Sequence, residues 1–232
     1  MERRFENLLP DVIQAEKERV PVIYVPVGSL EWHGWHMATG NDAIKVHEIC
    51  LEAAETTGGL VLPALFFGTG GGHYDYPTSI MVSEAALRPL LQEVLQRLAD
   101  LGYRVIVCIT GHYPGEQVDL VKSAAASVSA PAGTTVLALA EHEAYTLERR
   151  ADHAGKWETS ILAALRPDLV DMQQFTKHAD DPLRGVYFTE PREATETLGR
   201  ETVDGIVATL AKWVADALEK AHTVRGGGSR NG

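Results

Sequence analysis

Two cysteines, no long apolar run and a shortage of positive charge set the first limits on this 232-residue chain. Cys50 and Cys108 sit in the stretches I-C-L and V-I-V-C-I, so they read as small buried hydrophobes and supply neither a disulfide framework nor thiolate metal ligands. No stretch approaches the roughly 18 apolar residues of a membrane helix. The N-terminal M-E-R-R-F-E has no apolar segment behind its arginines, so a signal peptide is not expected. With 21 Lys and Arg against 32 Asp and Glu, the net charge of −11 leaves no basic footprint for nucleic acid or an anionic membrane. A cytoplasmic protein with a small-molecule partner, bound to neither nucleic acid nor membrane, is the expectation.

What is present is the composition of an ordinary globular chain, 45% hydrophobic and 23% charged, of a length suited to one domain. Val20 to Val27 reads as a buried parallel strand, and a helix follows from Ala43 to Thr57 with Asp42 near its start. Leu60 to Phe67 is a second strand candidate, leading into the glycine-rich stretch Gly68 to Thr78. A helix over Ser83 to Asp100, a strand over Arg104 to Thr110, a helix over Glu116 to Val128, a strand over Thr134 to Ala140 and a helix over Trp157 to Leu165 continue the alternation. The last helix runs from about Glu193 to Ala221. Residues 1–224 form the expected domain, and 225–232 (R-G-G-G-S-R-N-G) read as a disordered tail. Strands alternating with helices imply an α/β fold whose mainly parallel sheet is covered on both faces, with ligands at the carboxyl ends of the strands.

The loops at those strand ends carry the chemistry. Glu31, His33, His36 and Asp42 fall within twelve residues directly after the first strand, a nitrogen and oxygen set suited to a catalytic divalent ion. Taken singly, the histidines read equally as surface residues and Asp42 as a helix cap. His112 holds the corresponding position after the strand ending at Thr110, and Asp152-His153 precede Glu158 by a few residues at a helix start, where Glu158 also reads as a first-turn carboxylate.

Together these segments resemble the creatininase (creatinine amidohydrolase) family: Glu-x-His-Gly-x-His followed by Asp (Glu31, His33, Gly34, His36, Asp42), Gly111-His112, and His-Ala-Gly-x-x-Glu-Thr-Ser from His153 to Ser160. The loop His73 to Ile80 is similar to the family's His-containing loop. The resemblance implies a three-layer α/β/α hydrolase holding two divalent ions, zinc, manganese or iron, and a homo-oligomer, often a hexamer. It assigns Glu31 and His112 to one ion, His33 to the other, Asp42 as the bridge, His153 as the catalytic proton carrier and His36 as a supporting residue. Two ions sharing a carboxylate and a water lower that water's pKa and polarise a substrate carbonyl. Tyr113, Thr78, Ser79 and Arg149 are expected near the substrate.

Two departures stand out. Creatininase itself has a metal-binding Glu two residues after the strand-end His, where this chain has Pro114. Glu158 is the preferred replacement, acting at the catalytic centre as well, and Glu116 the runner-up. Creatininase also has a Trp-Asp pair shortly before the catalytic His, where Arg149-Arg150 stand here. That argues against creatinine and for an anionic substrate group, although L-E-R-R-A-D reads equally as a solvated helix face. An amidohydrolase of a small cyclic amide, formamide or amide conjugate is the leading expectation. The alternatives are the same centre opening a lactone or cyclic ketone ring, or a nucleotide-binding module built on Gly68 to Gly72, which lacks a helix directly behind its glycines.

Overall fold

A computed structural model describes residues 1–145 and 151–227. After a helix at Pro10–Arg19 (α1), the chain alternates β1 (Val22–Val27), α2 (Asn41–Thr57), β2 (Leu60–Val61), α3 (Glu84–Asp100), β3 (Val105–Thr110), α4 (Gly115–Ala126) and β4 (Thr135–Ala140). Helices α5 (Lys156–Leu165), α6 (Met172–Lys177) and α7 (Glu196–Gly227) follow. The four strands form one parallel sheet in the order β2-β1-β3-β4.

Period-two alternation in the central strands divides the core. Val22 and Tyr24 of β1 and Val105, Val107 and Ile109 of β3 face one side, packed on Val46, Ile49 and Cys50 of α2, Ile161 of α5, and Val203, Ile206 and Leu210 of α7. Ile23, Val25 and Val27 with Ile106 and Cys108 face the other, packed on Leu87, Leu91 and Leu95 of α3 and Leu120 and Val121 of α4. This is the expected α/β/α sandwich: strands buried on both faces need apolar residues at every position, which V-I-Y-V-P-V and V-I-V-C-I-T supply. Among the described residues no helix is long and apolar enough to cross a membrane.

The second strand is shorter than its sequence suggests. Only Leu60–Val61 pair regularly with β1, and Leu65 rejoins it as an isolated bridge to Val27. Prolines cause the break. A residue's N–H and C=O point to the same side of a strand, and the Pro26 carbonyl accepts from Leu65 N at 3.0 Å, so the missing Pro26 donor faces the β2 side. Pro63 interrupts the partner there, and the β1–β3 ladder stays intact. Helix α1, with Pro10 in its first turn, went unread in the sequence. The last helix continues to Gly227, into the segment taken as a tail; residues 228–232 lie outside the described chain.

Glu16 ties the N-terminal layer together. Its buried carboxylate accepts from Arg3 at 2.7 Å, from Arg19 at 2.7 and 2.6 Å, and from the backbone N of Gly59 at 3.0 Å. Burial pushes the Glu16 carboxyl up, but these donors outweigh it and hold it below its usual value. Glu16→Gln is expected to cost about 1–3 kcal/mol at neutral pH. Because the folded pKa is depressed, that contribution is full above the unfolded carboxylate value and fades as pH falls toward the folded one. Urea unfolding at pH 7 and pH 4 should show a gap between wild type and variant that narrows on acidification.

Candidate metal centre

β1 and β3 lie side by side, and the chain leaves them for opposite directions across the sheet, which opens a crevice beyond their carboxyl ends. The strand-end glycines Gly28 and Gly111 admit the first turn of α2 into it. A Cβ on Gly28 would lie 2.2 Å from Ala43 N, and one on Gly111 2.2 Å from the Asp42 carbonyl oxygen. Asp42 is thereby held between two strand ends.

The Asp42 carboxylate faces two ways. Its Oδ2 lies 3.0 Å from His112 Nδ1 and accepts from Ser29 Oγ at 2.7 Å, and its Oδ1 lies 3.0 Å from His33 Nε2. On the His112 side, Glu31 Oε2 is also 3.0 Å from His112 Nδ1. On the His33 side, Glu158 Oε2 is 3.4 Å from His33 Nε2. Two donor groups result, Glu31–Asp42–His112 and His33–Asp42–Glu158, with all ligand atoms of each within 4.8 Å of one another. A third combination joins Glu31 and His33 to His153.

The residues present fit divalent ions. His33 donates through Nδ1 to the Glu31 carbonyl at 2.9 Å, which leaves Nε2 as the atom aimed at the carboxylates, buried and without a well-formed hydrogen bond. That second-nitrogen anchor is the usual way a metal-binding imidazole is oriented. Three buried carboxylates converge, and the electrostatics show the demand for cations. Burial would lower the His33 and His112 imidazoles, yet Asp42 with Glu158 raises the first well above its usual range, and Asp42 with Glu31 raises the second to about 10. Burial would raise the carboxyls, but Lys45 and His33 bring Glu158 down to about 2, while His112 and His73 hold Glu31 below the usual carboxylate range.

Local sequence explains how Glu158 arrives there. Asp152 caps α5, accepting from Trp157 N at 2.8 Å and Glu158 N at 3.2 Å, and it also accepts from Thr189 Oγ1 at 2.5 Å. Thr189 Oγ1 in turn accepts from Lys156 N at 2.7 Å. Ala154, at φ +50°, makes a tight reversal between His153 and the helix, and its N–H donates to Glu158 Oε2 at 2.8 Å. His153 donates through Nε2 to the Trp32 carbonyl at 2.7 Å, and its Nδ1 lies 3.8 Å from Glu31 Oε2. Its ring stacks on His73 at 4.2 Å.

Glu31, Asp42, His112, His153 and Glu158 line a cavity of about 560 Å³, walled also by His73, Tyr113 and Pro114, with Tyr187 and Phe188 at its mouth. His36 stands behind it, its Nε2 3.1 Å from Thr159 Oγ1, next to Glu158. Several expected residues sit elsewhere. Glu116 is exposed and belongs to none of the donor groups, whereas Glu158 belongs to one of them. Thr78 and Ser79 do not line the cavity: Thr78 contacts Thr39 at 3.1 Å, and Ser79 accepts from Trp32 N at 3.0 Å, bracing the strand-end loop. Arg149 and Arg150 lie outside the described residues. The glycines before His73 lead into turns and not a helix, since α3 starts only at Glu84, so the phosphate-loop reading fails.

Sequence reasoning missed Lys45, Tyr187 and Phe188, and gave no role of their own to His73 and Asp152. Lys45 was detectable, because it falls on the apolar stripe of α2 marked by Val46, Ile49 and Ala53. His73 stood in a loop already singled out; its Nδ1 lies 2.6 Å from Glu31 Oε1. Nothing local marked Tyr187 or Phe188.

A family model, creatininase (creatinine amidohydrolase), matches residues 8–214. The chain is 29% identical to a creatinine amidohydrolase from Pseudomonas putida over 86% of its own length and 89% of the relative's. It is 30% identical to a mycofactocin precursor peptide peptidase from Mycolicibacterium smegmatis over 64% and 60% of the two chains. Among solved structures, one described as "Creatininase Mn" superposes with a TM-score of 0.69 at 25% identity, covering 95% of this chain and 98% of that one.

Proposed function

This chain belongs to the creatininase family, and we propose that it is a metal-dependent amidohydrolase cleaving a carbon–nitrogen bond of a small cyclic amide, formamide or amide conjugate. The observation that carries the reading is the pair of donor groups sharing Asp42 on the floor of the cavity, with His153 beside them. The relatives named above support an amide substrate, one being named for creatinine and the other for a precursor peptide.

Glu31, Asp42 and His112 would hold one ion, and His33, Asp42 and Glu158 the other. Bound there, zinc, manganese or iron supplies Lewis acidity toward a carbonyl and lowers the pKa of an attacking water. His153 works from the wall. Burial, reinforced by the neighbouring His33, lowers its pKa to about 4, so the ring is neutral at neutral pH. With Nε2 donating to Trp32, Nδ1 is the free basic atom, able to take a proton from the attacking water and deliver it to the leaving nitrogen. His73 packs against the same ring and fixes its plane. Tyr113, Pro114 and Tyr187 line the same cavity.

Metal analysis of purified protein should find one to two divalent ions per chain, and chelation should abolish activity. A panel of lactams, formamides, acyl amides, lactones and cyclic ketones then tests the bond cleaved. Turnover of lactones or ketones alone rejects the amidohydrolase reading. His153→Gln should lower kcat by about 10²- to 10⁴-fold with the metal content unchanged.

A further inference from the structure

Lys45 has no part in the chemistry above, yet it is one of the largest fully buried side chains in the protein. It rises from α2 one turn after Asp42, and its ammonium contacts Glu158 Oε1, lies 3.6 Å from Asp42 Oδ1 and sits 4.3 Å from the centre of the Tyr113 ring. The end of β4 adds the buried carboxylate Glu141 to its surroundings.

The placement is lopsided with respect to the two donor groups. One group uses Asp42 Oδ1 and Glu158 Oε2, the two carboxylates that Lys45 already contacts. The other uses Asp42 Oδ2 with Glu31 and His112, on the far side of the shared carboxylate. Resting on the two-position reading, we propose that Lys45 is a built-in cation that makes the His33–Asp42–Glu158 position the weaker of the two, so that the Glu31–Asp42–His112 position fills first. Two effects act together. The ammonium neutralises part of the negative charge that would draw an ion to Glu158, and it repels the ion once bound, at close range in a buried site where like charges are poorly screened. It also occupies Glu158 Oε1, which restricts that ligand to a single oxygen.

The test is titration of the metal-free full-length protein with Mn²⁺, read by calorimetry and by ion content after equilibrium dialysis. Wild type is expected to show two classes of affinity at least ten-fold apart. Lys45→Met, which keeps length and removes charge, should tighten the weaker class at least ten-fold and leave the stronger within three-fold. Lys45→Gln should shift it in the same direction, and either variant should gain a larger metal-induced rise in melting temperature than wild type. Two equal affinities in wild type overturn the proposal whichever variants fold. A neutral variant that loses the second ion overturns it as well, because Lys45 would then be supporting Glu158 and not competing with the ion. Wild type that binds no ion at all removes the two-position reading beneath the proposal, a result distinct from two equal affinities.

Discussion

Asp42→Ala is expected to leave a folded protein that retains no divalent metal after dialysis and hydrolyses its amide substrate about 10⁴-fold more slowly or worse, a loss of roughly 5.5 kcal/mol of transition-state stabilisation. The size of the effect follows from position. One oxygen faces His33 and the other faces His112, so a single truncation removes a ligand from both donor groups. Gly28 and Gly111 offer no side chains at the strand ends to take its place. Asp42→Asn separates charge from shape: it preserves volume and the contact with Ser29 Oγ, and should bind metal more weakly than wild type. Elemental analysis with circular dichroism as the fold control decides the matter. An alanine variant with stoichiometric metal and full activity would sink the proposed centre.

Gly28→Ala should damage the protein while leaving every donor side chain in the sequence unchanged. Its added carbon would lie 2.2 Å from Ala43 N and 2.4 Å from Ala43 Cα, and both are backbone atoms that no rotamer change can move. The first turn of α2 must shift, at an overpacking cost of about 1–3 kcal/mol. In a chain of this length that corresponds to a fall of roughly 2–12 °C in melting temperature. Asp42 moves with the turn, and a displacement near 1 Å costs about 10²-fold in rate. Gly115→Ala is the control: nothing lies within 4 Å of its added carbon, so melting temperature and rate should both stay near wild type. Equal behaviour of the two variants would show that the close approach of α2 to β1 has no role in placing Asp42.

The elements legible in the sequence are those whose signal is local. β1 and β3 announce themselves because a strand buried on both faces must be apolar throughout, and α3 because Leu87, Leu91, Leu95 and Leu98 recur at helical spacing. The donor residues were legible because they cluster at strand ends, where a parallel sheet gathers its loops. β2 was overread, since Leu60 to Phe67 has the composition of a strand while Pro26 and Pro63 interrupt the pairing. Thr78 and Ser79 were misplaced because a polar loop residue gives no sign of which way its turn faces. Tyr187 and Phe188 were invisible for the opposite reason. They reach the cavity only through tertiary pairing, the bridge between His153 and Tyr187.

That pairing makes the cavity mouth part of the machinery of its floor. Thr189, directly after Phe188, donates to Asp152, and Asp152 holds the backbone N–H groups that set Glu158 in place. Phe188 meanwhile sits at φ +76°, a backbone conformation that L side chains rarely adopt, and is almost fully exposed. The turn that carries Tyr187 and Phe188 is therefore joined to the backbone of Glu158 by two hydrogen-bonded steps, so the entrance and the floor of the cavity share one support.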